Sequence, residues 1–225
     1  MNTQWRHFLA ALHFVTSLPG SPEDASGPPP HEATRLVPLV GILVGLCGAA
    51  VYWLGSQAWP TSVAVVLSML ATTLLDGRGR GFGAVYWIFV LLVKYNALMA
   101  LSAANVPVPL PPFVTLGLIM VAGQAASRAL VVSVMATDFP PAAGPSPLRA
   151  TANDLSVALI IGFAPAALLG IPGLIGLVSA ITLRLLLTAA ILPRLGIRNR
   201  ERFHVTQQLT ELCFYLGALA TWKYV

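Results

Sequence analysis

The chain has 225 residues, 56% of them hydrophobic and only 9% charged, where a soluble domain carries about 25% charged residues. That excludes an ordinary soluble domain, and Leu36 to Leu75 contains no Asp, Glu, Lys or Arg at all, enough for two bilayer spans of about 20 residues each. The net charge of +5 does not argue for nucleic acid as a partner, because the basic residues are scattered between apolar runs rather than gathered on one face.

At the N-terminus, Trp5, Phe8, Leu9, Leu12 and Val15 recur at helical spacing, with Arg6, His13 and Ser17 off that stripe. The pattern predicts a short helix lying in the membrane interface, and a cleaved signal peptide fits it less well. Residues 1–35 are then an interfacial helix and loop, and residues 36–225 a single membrane-embedded helical domain.

Seven apolar runs follow: Leu36–Leu54, Thr61–Leu75, Phe82–Ala103, Phe113–Ala136, Leu155–Leu169, Leu174–Leu192 and Val205–Ala220. Lipid offers no partner to a free backbone group, so each run should be helical. The fold class expected is therefore all-α, a polytopic membrane bundle of about seven transmembrane helices plus the interfacial helix. The connections sort by charge. Gly55–Pro60, Ala104–Pro112 and Gly170–Gly173 are neutral, whereas the stretch to Arg35, the loop with Arg78 and Arg80, Thr137–Asp154 and Arg194–Arg202 carry charge. With seven spans all charged connections share one face, which the positive-inside rule makes cytoplasmic, together with the N-terminus, at the cell (inner) membrane.

Lys94, Arg128, Arg184 and Glu211 fall within or at the edges of apolar runs. Intramembrane charge is costly unless paired or wet. Lys94 and Arg184, near mid-span, have to pair, face a watery cavity or snorkel; for Arg128, substrate contact and simple anchoring stand level. Cys47 and Cys213 lie in apolar runs and read as small core residues. The glycine-rich Gly77-Arg78-Gly79-Arg80-Gly81-Phe82-Gly83 has no Gly-Lys-Ser/Thr ending and no G-x-G-x-x-G register, so it is no phosphate-cradling loop of either kind. Alone it reads as a basic turn. The arginines of Arg194–Arg202 suit an anionic ligand or lipid headgroups, although a positive-inside loop already accounts for them.

Several stretches, in order along the chain, resemble the cobalamin synthase family (adenosylcobinamide-GDP ribazoletransferase). Phe8-Leu9-Ala10-Ala11-Leu12-His13-Phe14-Val15-Thr16-Ser17-Leu18-Pro19 is similar to that family's "F-x-x-A-L-x-F-L-T-R-L-P", with Ser17 where an Arg is usual. Arg35-Leu36-Val37-Pro38-Leu39-Val40-Gly41 resembles the opening of its first span, Ser127-Arg128-Ala129 a family Ser-Arg, and Thr206-Gln207-Gln208-Leu209-Thr210-Glu211 the start of its last span. The resemblance implies an enzyme of cobalamin biosynthesis. It would join adenosylcobinamide-GDP to α-ribazole (or its phosphate) at the membrane, release GMP, use Mg²⁺, and have other cobalamin-assembly enzymes as partners. Metal-assisted phosphoryl transfer needs carboxylates for the ion and cations for the phosphates. Carried over residue by residue, the resemblance makes Asp76 and Glu201 catalytic and metal-binding, and Arg78, Arg128, Gln207 and Glu211 substrate-binding.

The chain also departs from the family. The Asp-rich block "H/E-x-D-G-L-A-D-x-x-D-G" expected after the second span is missing, and Leu75 runs directly into Asp76-Gly77-Arg78. Asn199-Arg200-Glu201 stands where the family has "T-G-D", so Arg replaces the Gly while a carboxylate is kept. Two other readings stay open: a membrane scaffold or corrinoid-binding homologue without turnover, and a small permease lined by Lys94 or Arg184. No internal repeat of spans, a feature of many transporters, supports the permease.

Overall fold

Each of the seven apolar runs falls on a helix in the computed structural model, which describes residues 3–16, 31–76, 84–103, 111–138, 150–192 and 199–222. The helices are α1 (Thr3–Val15), a short α2 (His31–Thr34), α3 (Val37–Ala58), α4 (Thr61–Asp76), α5 (Ala84–Ala103) and α6 (Pro112–Asp138). There follow α7 (Ala152–Ala167), α8 (Ile171–Leu186), prolonged by a π-helical turn over Leu187–Ile191, and α9 (Asn199–Trp222). Among the described residues there is no strand.

Four helical stretches are long and apolar enough to cross a bilayer: Val37–Ala58, Tyr86–Ala103, Pro112–Thr137 and Ile171–Ile191. The helices α4 and α7 are apolar but have 16 residues each, so neighbours must shield their ends. The last helix begins at Asn199 rather than at Val205. Hydropathy marks only its apolar part, whereas the helix extends into polar residues, with Glu201 in its first turn, at the positive end of the helix dipole.

The axis of the bundle is α6. Of its apolar window 89% is buried, against 28% for α5 and for α8, and α3, α7 and α9 pack around it. Outward-facing Leu39, Leu43, Leu46, Val66, Leu70, Phe89, Leu92, Val178 and Leu185 give the other helices an apolar exterior, as a lipid-facing surface requires. Close packing against α6 depends on missing side chains. A Cβ on Gly41 would lie 2.6 Å from the Gln124 carbonyl oxygen, and one on Gly45 would lie 2.6 Å from Val121 Cα. Small residues allow such backbone contact where no hydrophobic effect drives helices together. The helix α1 packs onto the same assembly through Ala11, which is fully buried.

Local chemistry sets the ends. Thr151 and Asp154 form a reciprocal capping box at the start of α7. The tight α7–α8 connection turns at Gly170, whose φ of +66° is glycine territory.

Replacement of Gly45 by Ala should lower stability by about 1–3 kcal/mol, because the new methyl meets backbone that cannot rotate away. Thermal unfolding in detergent micelles checks this, with the outward-facing Leu46→Ala expected to stay within about 0.5 kcal/mol of the parent.

Candidate functional site

Arg128 has no exposed surface and sits on the axial helix. A buried guanidinium needs a counter-charge and several acceptors, and the fold supplies both. Its Nη2 donates to Oδ1 of Asp76, the last residue of α4, in a buried ion pair. Its Nη1 donates to the side-chain oxygen of Gln124 one turn back, and to the Gln124 carbonyl at 3.1 Å. Oδ2 of Asp76 accepts from Gln208 Nε2 on α9 at 3.2 Å.

A second buried pair lies next to the first. Lys94 Nζ on α5 is 2.6 Å from Glu211 Oε1 on α9, and the two side chains are 3% and 0% exposed. The same oxygen accepts from Gln124 Nε2 at 2.7 Å and from the Tyr215 hydroxyl at 2.8 Å. Gly123 makes room for that tyrosine, since a Cβ there would be 2.5 Å from its ring. Gln124 thus bridges the two pairs, and one continuous hydrogen-bonded chain runs from Lys94 to Gln208 through four helices.

Beside this chain a narrow cleft with a cavity volume of about 30 Å³ is lined by Phe14, Val37, Arg128, Phe203, His204 and Gln207 among others. The cleft therefore gathers the end of α1, the start of α3, the second half of α6 and the start of α9. Two of its buried N–H groups, Arg128 Nε and Gln207 Nε2, have no hydrogen-bond partner within the protein. A buried donor left unsatisfied costs about 1–3 kcal/mol, so the pair is suited to an acceptor that enters the cleft: a phosphate, carboxylate or carbonyl oxygen.

Of the residues singled out from sequence, Arg128 and Gln207 meet in the cleft. Asp76 reaches it only through Arg128, and Glu211 is enclosed behind Gln124. Glu201, half-buried, lies in the first turn of α9. Arg78 lies outside the described residues. Lys94 pairs with Glu211, one of the outcomes open to a mid-span charge, and Arg184 donates to the Ser133 carbonyl at 2.8 Å and the Thr137 hydroxyl at 2.7 Å.

A Mg²⁺ ion seeks oxygen ligands, commonly one or two free carboxylates with waters and substrate phosphates. Both oxygens of Asp76 already accept from protein donors, and the described residues hold no group of three or more His, Cys, Asp or Glu able to bind a metal. The described residues do not fit the ion.

Gln124, Gln208 and Tyr215 belong to the candidate site although sequence reasoning gave them no role. Uncharged side chains in apolar runs give no hydropathy signal. The readable trace was the four-residue spacing of Gln124 from Arg128 and of Glu211 from Tyr215, which puts each pair on one helix face.

The sequence matches the profile of the family described as cobalamin-5-phosphate synthase over residues 7–79 and 79–219. An adenosylcobinamide-GDP ribazoletransferase of Ralstonia pickettii is 30% identical over 257 residues, covering 98% of this chain and 97% of the relative. One from Shewanella amazonensis is 28% identical, with 96% and 95% covered. One from Ralstonia nicotianae is 36% identical over 138 residues, 48% of this chain and 51% of that protein. No solved structure matches. The R. pickettii alignment runs to 257 positions although this chain has 225, so part of the relative has no counterpart here. The profile match itself divides at Gly79, inside the loop where the Asp-rich block is missing. With that loop as its clearest departure, and with the match extending through α1 to α9, the chain belongs to the cobalamin-5-phosphate synthase family.

Proposed function

We propose that this chain binds adenosylcobinamide-GDP with its diphosphate against Arg128 and Gln207, and joins it to α-ribazole at the membrane with release of GMP. The observation that carries the reading is the pair of buried, unpartnered N–H donors facing one cleft, the arrangement that oxygens of a phosphate would satisfy. A hydroxyl of α-ribazole attacks the phosphorus attached to cobinamide, the bond to the GMP oxygen breaks, and the hydroxyl proton is lost. Arg128 would hold the phosphate while negative charge moves to the leaving group. The charged connections would lie on the cytoplasmic side of the membrane, so that the cleft opens toward the soluble substrate.

A second reading, corrinoid binding without turnover, is favoured by one observation: both Asp76 oxygens already accept from protein donors. Purified chain in lipid nanodiscs, given Mg²⁺, adenosylcobinamide-GDP and α-ribazole, should release GMP above a protein-free blank. Retained binding of the corrinoid nucleotide with no GMP would establish the second reading, and absence of both would end the two together. Gln207→Leu removes one donor to a charged group and should weaken nucleotide binding about tenfold or more in equilibrium dialysis.

Asp76→Asn leaves Arg128 buried without a counter-charge and should destabilise by about 3–5 kcal/mol. The double variant Asp76→Asn/Arg128→Met should regain part of that loss in the same unfolding assay, because the stranded charge is gone. A double variant as unstable as the single one would contradict the pairing.

A further inference from the structure

Glu211 carries a buried carboxylate that the cleft does not use, and Lys94 a buried ammonium far from it in sequence. Neither lines the cleft, yet both are tied to Arg128 through a single amide. The bonding around Gln124 has a direction. Glu211 offers only acceptors to its neighbours, so the amide NH2 of Gln124 must face it, at 2.7 Å. Arg128 offers only donors, so the amide oxygen must face Arg128. The amide therefore has one permitted orientation, fixed at one end by Glu211. Glu211 is itself held by three donors on one oxygen: Lys94, Gln124 and Tyr215.

We propose that Lys94, Glu211 and Gln124 form a directional relay that sets the orientation of Arg128 in the cleft, so that they act as positioning residues and not as ligand contacts. The proposal builds on the functional reading above and gives Glu211 a role other than touching substrate. A guanidinium gripped on Nη1 by Gln124 and on Nη2 by Asp76 cannot turn about its stem, and its remaining Nε–H faces one direction only. Without the side-chain oxygen of Gln124, Arg128 keeps its ion pair with Asp76 and its 3.1 Å bond to the Gln124 carbonyl, but Nη1 loses one of its two acceptors and the direction of the guanidinium is less tightly fixed.

The arrangement separates orientation from simple charge pairing. In the exchange Lys94→Glu/Glu211→Lys the salt bridge is reversed but remains. The new lysine is donor-only, so Gln124 has to turn its oxygen toward it and set its NH2 against Arg128. Adding Gln124→Glu supplies acceptors to both sides and should restore the grip. A gentler variant, Gln124→Met, cuts the relay while leaving both ion pairs in place.

The full chain in nanodiscs is tested by thermal unfolding, by equilibrium dialysis with adenosylcobinamide-GDP, and by the Nη resonances of Arg128 in arginine-labelled protein, assigned with Arg128→Lys. The exchange variant and Gln124→Met should stay folded but melt below the parent, since each leaves a buried polar group unsatisfied, bind the nucleotide about tenfold more weakly, and show the two Arg128 Nη signals averaged. The triple variant should recover both affinity and separate signals. A folded Gln124→Met with parental affinity and parental Nη signals overturns the relay. If the parent itself fails to bind the corrinoid nucleotide, the functional reading fails, and the Nη signals still decide whether the relay exists.

Discussion

The pairing of Arg128 with Asp76 is the constraint around which the bundle is arranged. A guanidinium on the axial helix, fully removed from solvent, must be neutralised where it stands. Its partner is the final residue of α4, so the end of that helix has to lie against α6 at the height of the arginine. The remaining Asp76 oxygen draws in Gln208, which orients the polar face of α9 inward. Shared small-residue contacts between α3 and α6 keep this polar interior narrow. Packing and electrostatics are therefore solved by the same residues, and a cleft with free donors is left at one end.

The fate of the carboxylates explains what kind of family member this is. The chain contains eight acidic residues. Among the described ones, Asp76 neutralises Arg128, Glu211 neutralises Lys94, and Asp154 closes the cap of α7. Each of these three is committed to holding the fold. Relatives named for ribazole transfer align along nearly the whole chain, while the loop after α4 is where the profile match divides. The family match therefore covers nearly the whole chain, with its one division in the loop after α4.

The helical architecture was legible because lipid imposes one rule on every segment: apolar side chains outside and backbone bonds satisfied within. That rule located all seven apolar helices, to within a turn or two at their ends. It blurred α9, whose first turns are polar although helical. It also located the costly residues Lys94, Arg128 and Glu211, since a charge in an apolar run stands out at once. It could not say who pairs with whom. Asp76 and Arg128 are 52 positions apart, and their meeting is decided by how α4 lies on α6, which no local spacing encodes. Glu211, read as a substrate contact from its place in a family motif, is enclosed by Lys94, Gln124 and Tyr215. A motif transmits the identity of a residue more reliably than the direction in which its side chain works.

Gly41 has a bearing on the cleft that goes beyond helix packing. A methyl group at that position would approach the Gln124 carbonyl and also come within 3.1 Å of Arg128 Cδ. Val37, one turn earlier on α3, forms part of the cleft wall opposite that arginine. The aperture is thus gauged by an atom the chain does not have: α3 rests on the backbone of α6, and the stem of Arg128 occupies the space that a side chain at position 41 would claim. Such an opening is shaped by subtraction, and a single added carbon would reset both its width and the reach of its cation.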